Sequence, residues 1–218
     1  INGVAFSADG KLVYTADVGA RSSLWMAGAD GADRGPFQTV PAEEQIGFPS
    51  LVDDGTVFVA ARSKAGVEIR ALGRDGSSSR VVVRDAVFGP FEVSRDGRLV
   101  VYTTLRKGVS RVVRVAGDGS DPKPVFDGPA FRPALHPAGD RVAFYYIDSA
   151  EDIRLGVCSV EGGPLLLDVA AEVPTTSSRL ALRDEGIYLN TVAGDRGNIW
   201  LLPSGGGPAR KLTSWDDQ

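Results

Sequence analysis

Short runs of apolar residues recur along the whole chain, and each run is bounded by Gly, Asp or Pro. β-Branched and aromatic residues dominate these runs, as residues 12–16, 57–61 and 142–145 illustrate. Runs of this length between turn-forming residues are typical of β-strands joined by tight hairpins. The pattern therefore predicts strands rather than helices throughout the chain.

Two turn motifs alternate between these runs. The first is a Ser-x-Asp-Gly-Lys turn at residues 7–11, and its variants return at residues 53–55, 94–98, 137–140 and 183–186. The second is an Ala-Asp-Gly turn at residues 29–31, and its variants return at residues 74–76, 117–119, 160–162 and 204–206. Asp-Gly suits tight hairpins because both residues tolerate positive φ. Each series steps by roughly 42–47 residues, which is the period of a β-propeller blade.

The repeats predict an all-β fold, a β-propeller of four-stranded blades in which residues 1–218 form one domain. The five visible repeats have approximate bounds of 1–46, 47–88, 89–131, 132–173 and 174–218. A β-sandwich also has many short strands, but it does not predict two turn motifs that recur together at fixed separation. Propellers usually close by pairing strands from both termini, and the five repeats lack such an overlap. We therefore expect a ring of six or more blades.

The four strands of a blade are called A to D in chain order. Because neighbouring strands run in opposite directions, successive connections lie at opposite ends of the sheet. The A–B and C–D connections are the repeating Asp-Gly turns at one end of the sheet. The B–C loops and the D-to-A linkers lie at the opposite end, where the five repeats differ most, and variable loops on a rigid scaffold often bind ligands. The candidate binding residues at this end are Arg62, Lys64, Arg106, Lys107, Asp148, Asp152, Asp195 and Arg196. They predict a face for a small polar ligand, a peptide or a protein, with a solvated charged rim as the alternative.

Composition argues against nucleic acids and membranes as binding partners of this segment. The net charge is -4 and the isoelectric point is about 5.1, which argues against a nucleic-acid surface. The longest apolar runs are strand-sized, so we expect no membrane insertion by this segment. The first residues lack the basic and apolar regions of a signal peptide, and the sequence reads as an internal part of a longer protein.

No catalytic motif and no cofactor site is predicted. The kinase signatures and the Gly-x-Ser-x-Gly motif of hydrolases are missing from the sequence. His136 is the only histidine and is predicted to be a surface turn residue, while Cys158 is predicted to be a packed thiol. The repeated turn acids could suggest calcium, but one acid per turn is better explained by bonds to its own backbone. Trp25 and Trp200 are expected to pack in the core. For Trp215, core packing and a sugar-stacking surface remain equal alternatives.

The segment at residues 6–11, followed by Leu24 and Trp25, resembles the TolB-like branch of propeller repeats. The last repeat matches the pattern best, with residues 198–208 followed by Lys211, Leu212 and Thr213. The succession looks like the C-terminal propeller of some bacterial receptor-like serine/threonine protein kinases. The resemblance implies a non-catalytic sensor or protein-interaction module, outside the cytoplasm. It leaves two alternatives: the substrate-gating propeller of a prolyl-oligopeptidase-type peptidase, and a free-standing periplasmic interaction protein.

Overall fold

A computed structural model describes residues 3–6, 10–18, 21–28, 30–32, 34–41, 43–170, 179–193 and 196–214. These residues form twenty strands in five four-stranded sheets, which follow the predicted repeats in order. The all-β class and the four-stranded blades are therefore confirmed. Within the same ranges, no helix has the length and apolar character needed to span a membrane.

The strands of each blade lie side by side in chain order. Blade 1 consists of β1 (Gly3–Phe6), β2 (Leu12–Val18), β3 (Arg21–Ala27) and β4 (Gly35–Thr39). Blade 2 consists of β5 (Gln45–Leu51), β6 (Val57–Ser63), β7 (Gly66–Leu72) and β8 (Ser79–Val83). Blade 3 consists of β9 (Glu92–Val93), β10 (Leu99–Arg106), β11 (Val109–Ala116) and β12 (Lys123–Pro124). Blade 4 consists of β13 (Ala130–Leu135), β14 (Arg141–Ile147), β15 (Ile153–Ser159) and β16 (Leu167–Ala170). Blade 5 consists of β17 (Leu180–Arg183), β18 (Gly186–Ala193), β19 (Arg196–Pro203) and β20 (Arg210–Lys211).

The chain forms two compact units. The first contains Ile1–Val100 and Val115–Pro122, and the second contains Val101–Arg114 and Lys123–Gln218. Blades 1 and 2 share an apolar core in the first unit, formed by Val13, Leu24, Val40, Ile46, Val57, Val59, Ala61 and Leu72. Blades 4 and 5 share one in the second unit, formed by Ala134, Ala143, Tyr145, Leu155, Val157, Leu180, Leu182, Ile187, Leu189 and Leu202.

The second strand of a blade is buried on both of its faces. In β6, no residue from 57 to 61 is more than 2% exposed, and residues 142–146 of β14 are buried in the same way. Successive strand residues point to opposite faces of a sheet, so an unbroken buried run requires cover on both sides. A sandwich covers only one face of each sheet, which makes this burial the mark of stacked blades.

Where the structure describes them, the predicted Asp-Gly turns join strands A to B and C to D; residues 7–9 and 29 of the blade 1 turns lie outside the described residues. In three A–B turns the glycine N–H donates to the carbonyl three residues earlier: Gly55 to Val52, Gly97 to Ser94 and Gly139 to His136, all at 2.8–2.9 Å. Gly97 has a φ of 70°, a left-handed conformation that other residues rarely adopt. We call the end of each sheet that carries these turns the turn end.

The B–C connections of blades 2 and 3 contain only two residues each. Arg62 lies inside β6 and pairs with Val67 of β7, so only residues 64 and 65 connect these strands. Arg106 likewise ends β10, and only residues 107 and 108 precede β11. These candidates are therefore held by strand ladders rather than by loops. We call this end, with the D-to-A linkers, the hairpin end.

Two prolines lie inside first strands. Pro49 lies in β5 and Pro133 in β13, each at a bulge where the pairing register shifts. Bulges tolerate proline because the ladder bond is already interrupted there. The residues before these prolines, Phe48 and Arg132, have left-handed φ values of 52° and 55°.

A substitution at Gly117 tests how closely the two turns of blade 3 approach. The Gly117 N–H donates to the carbonyl of Arg98 at 2.7 Å, and an added Cβ would clash with the carbonyl of Gly97. We expect Gly117→Ala to lower the free energy of unfolding by about 1–3 kcal/mol. Gly35→Ala, in open space, should change it by less than about 0.5 kcal/mol. Equal urea midpoints for the two variants would contradict the close approach.

Candidate functional site

The acids of the turn end hold their own turns. In four of the turns an aspartate accepts a hydrogen bond from the backbone N–H two residues later, as the turn interpretation predicts. The bonds are Thr56 to Asp54 at 2.7 Å, Ser77 to Asp75 at 3.0 Å, Arg98 to Asp96 at 3.1 Å and Ser120 to Asp118 at 2.8 Å. Bonds from the backbone and hydroxyl of Ser77 lower the pKa of Asp75, and those from Ser120 lower the pKa of Asp118. The pKa of Asp96 is lowered mainly by the Ser94 hydroxyl.

Contacts between neighbouring blades add to the order of the turn end. In the first unit, the Asp53 N–H donates to the carbonyl of Arg95 at 2.8 Å, and Arg80 donates to the carbonyl of Gly117 at 2.8 Å. In the second unit, the buried guanidinium of Arg114 lies 2.6 Å from the carboxylate of Glu161. Polar groups at this end are thus largely engaged within the protein.

The prediction that His136 is a surface residue was wrong. Its side chain is only 6% exposed, because Asp184 of the next blade reaches over it. Nδ1 lies 3.0 Å from Oδ1 of Asp140, and Nε2 lies 3.1 Å from Oδ1 of Asp184. Arg141 also lies 3.2 Å from Asp184. The imidazole is a structural link at the turn end of the second unit. In the parts of the chain that the structure describes, no three His, Cys, Asp or Glu residues are arranged to hold a metal ion.

Cys158 is a packed thiol, as predicted. Its Sγ is fully buried and lies 3.7 Å from the carbonyl oxygen of Val125. Burial raises the pKa of this thiol to about 11, so it is protonated at neutral pH and a poor nucleophile. Trp200 packs against the core of the second unit and Trp25 stacks on Tyr14 at 6.4 Å, whereas Trp215 lies outside the described residues.

Two candidate residues lie at the hairpin end of the first unit. The Arg62 guanidinium lies over the ring of Phe88, with its Cζ 4.1 Å from the ring centroid. Phe88, in the linker between β8 and β9, in turn meets Phe48 edge-on at 5.5 Å. Lys64 is exposed in the two-residue turn that follows β6. Both cations were predicted from the sequence as candidate binding residues. The aromatic pair was not, because Phe48 and Phe88 are forty residues apart.

The other candidates belong to the second unit. Arg106 and Lys107 are exposed at the β10–β11 hairpin. Asp148 is not a free ligand, because its Oδ1 accepts the backbone N–H groups of Ala150 and Asp152 at 2.9 and 3.0 Å. These bonds bring Asp148 and Asp152 together in one turn. Arg196 begins β19, but its side chain and all of Asp195 lie outside the described residues.

Exposed aliphatic side chains at the hairpin end were also missed. Leu105 of β10 is 57% exposed, and Ile147 and Ile153, which pair directly across β14 and β15, are 38% and 37% exposed. Each lies at the end of a strand that is mostly buried, so nothing local in the sequence marks it as exposed. Together with the neighbouring charges, these residues give the hairpin end a mixed apolar and polar surface.

Known structures with the same arrangement of strands are numerous, although no protein-family model and no curated protein matches the sequence. TolB from Acinetobacter baumannii matches with 16% identity and a TM-score of 0.77, over 95% of this chain and 55% of that one. A nidogen/laminin complex matches with 12% identity and a TM-score of 0.69, over 95% and 78%. The tricorn protease matches with 11% identity and a TM-score of 0.65, over 95% and 26%. At these identities the likeness shows the fold alone, which is a TolB-like β-propeller. The chain spans little more than half the length of that TolB.

The turn acids predict a specific acid sensitivity. Because the folded-state pKa values of Asp75 and Asp118 lie below the unfolded value of about 3.9, both carboxylates stabilise the fold above that pH. This contribution is lost as the pH falls through the folded-state pKa values. In the double variant Asp75→Asn with Asp118→Asn, urea midpoints should therefore fall less steeply between about pH 5 and pH 3. Asp152→Asn, at the hairpin end, is the control. A double variant as acid-sensitive as the unsubstituted protein would contradict this role.

Proposed function

We propose that this propeller is a non-catalytic interaction module that binds a peptide or protein partner at the hairpin end. The observation that carries the proposal is the exposure of Leu105, Ile147 and Ile153 beside charged residues at that end. Interfaces combine an apolar centre with a polar rim, and exposed apolar side chains such as the cross-strand pair Ile147 and Ile153 favour this use.

The contrast between the two ends supports the choice of surface. At the turn end, aspartates accept bonds from their own turns, and Arg80, Arg114 and His136 are engaged by neighbouring blades. Among the described residues, Lys64 and Lys107 at the hairpin end form no ion pair. A partner at the hairpin end could therefore engage these two ammonium groups without breaking an existing ion pair.

The finer role follows from the sequence resemblance. We favour a sensor domain of a larger bacterial signalling protein, outside the cytoplasm and attached to a receptor-like serine/threonine kinase. The likeness to the tricorn protease favours a second candidate, a propeller that gates substrate for a peptidase. A membrane span and kinase motifs elsewhere in the full-length sequence would support the first role. A Gly-x-Ser-x-Gly hydrolase domain would support the second.

We also propose that the complete ring has six or more blades. Val4 and Phe6 of β1 are 44% and 66% exposed, on the face of blade 1 opposite to Val13 and Leu24 of its core. An apolar blade face of this kind normally packs against another blade. An experimental structure of the full-length protein should show at least one further blade, and a sealed five-bladed ring would contradict the proposal.

Peptide binding can be tested with two matched variants of blade 4. A thermal-shift screen with peptides, peptidoglycan fragments and metabolites should find peptides that raise the melting temperature in a saturable manner. Ile153→Ser, at the hairpin end, should weaken the best peptide by about fivefold or more, because it removes buried apolar area. Leu166→Ser, equally apolar but close to the turn end, should leave the affinity unchanged.

Two outcomes would overturn the proposed function. One is a saturable response to metabolites or peptidoglycan fragments with none to peptides. The other is peptide binding that is lost in Leu166→Ser and kept in Ile153→Ser, because the partner would then bind at the turn end.

A further inference from the structure

Arg62 differs from Arg70 and Arg84 of the same blade in its surroundings. Arg70 lies 2.8 Å from the carboxylate of Glu44 and 3.0 Å from that of Glu68, and Arg84 lies 2.9 Å from Glu68. These two acids are therefore already shared between two arginines. Arg62 instead contacts an aromatic ring and, within the described residues, forms no ion pair.

The ring holds the guanidinium without using its hydrogen-bonding edge. A guanidinium stacks on an aromatic face through its own plane, and its N–H groups then point sideways. Those N–H groups match the two oxygens of a carboxylate. The stack on Phe88 also restricts the rotamers of Arg62, which reduces the entropy lost when a ligand binds.

Phe88 is itself held in place by a second aromatic ring. Phe48 meets it edge-on with an interplanar angle of 75°, and Phe48 is held in a left-handed conformation at the bulge before Pro49. Gly3 of β1 allows close approach here, because an added Cβ would lie 2.7 Å from Cδ of Pro49. An aromatic residue with φ near 50° is a backbone outlier, and such outliers are frequent at binding sites.

The charge at this place is positive. Lys64 follows Arg62 by two residues and is exposed, and it too forms no ion pair with the described carboxylates. Arg62 lies on an aromatic ring, Lys64 follows it by two residues, and the acids Glu44 and Glu68 are already paired. This arrangement favours an anionic ligand that also has apolar surface.

We propose that Arg62, Lys64 and Phe88 form a binding site for the side-chain carboxylate of an acidic peptide. The carboxylate accepts two hydrogen bonds from the Arg62 guanidinium, Lys64 attracts it electrostatically, and an apolar neighbour in the peptide covers Phe88. The inference rests on the proposed function and assigns a ligand class to the part of the hairpin end that belongs to the first unit.

Isothermal titration calorimetry with a blocked peptide tests this site. The probe is acetyl-Gly-Glu-Leu-Glu-Gly-amide, and its counterpart carries Gln in place of both Glu residues. We expect saturable binding of the Glu peptide and at least tenfold weaker binding of the Gln peptide, since hydrogen bonds to charged groups stabilise more than neutral ones. Affinity for the Glu peptide should fall as the salt concentration rises.

Four variants separate the contributions. Arg62→Ala should weaken binding of the Glu peptide by about tenfold or more, and Arg62→Lys by less, because the charge remains while the planar fork is lost. Phe88→Leu should weaken it by about two- to fivefold through loss of the stack. The matched control is Arg95→Ala, which removes an exposed arginine with no ion pair among the described residues at the turn end of the same unit, and it should bind normally. Unchanged urea midpoints in all four would show that folding is intact.

Three results would overturn the inference: no saturable binding of the Glu peptide below about 1 mM, equal binding of the Gln peptide, or equal weakening by Arg62→Ala and Arg95→Ala. The same experiments test the proposed function separately. If other peptides bind in a manner that depends on Ile153 while Arg62→Ala has no effect, the interaction module stands and this site is wrong. If no peptide binds at all, both are wrong.

Discussion

Face-to-face packing of apolar sheets is the interaction on which the rest of the structure depends. Residues 57–61 of β6 and 142–146 of β14 are buried without interruption, so their sheets need cover on both faces. Full burial of each large side chain, such as Phe58 or Tyr145, contributes about 1.5–3 kcal/mol. A single blade cannot bury both faces alone, which is why the blade recurs along the chain.

Stacking also divides the ends of the sheets by role. The chain must reverse direction twice at the turn end of each blade. In the Asp-Gly turns that reverse it, carboxylates and backbone N–H groups are occupied by hydrogen bonds within the turn. Neighbouring turns then contact each other, as Asp53 does with Arg95 and Arg141 with Asp184. The hairpin end needs only short B–C connections, so residues such as Arg62, Lys107 and Ile153 can differ between blades without disturbing the stack.

The sequence was sufficient for the strands, their order and the Asp-Gly turns, because these depend on local chemistry repeated five times. It failed where distant segments meet. His136 replaces the turn serine, and nothing local reveals that Asp184, in the next repeat, buries it. Pro49 and Pro133 lie at bulges inside first strands, and no local residue pattern marks such bulges. For the candidate site, Arg62 and Lys64 were found as charges. The stack on Phe88 and the engagement of Asp148 in its own turn depend on the folded backbone.

Hydrogen–deuterium exchange with and without a bound peptide tests the division of roles most directly. The account predicts that ligand slows exchange at the hairpin end, at residues 147–153, and leaves the turns at residues 94–98 and 117–122 unchanged. Slower exchange confined to those turns would contradict it, because the repeating Asp-Gly turns would then be the binding surface.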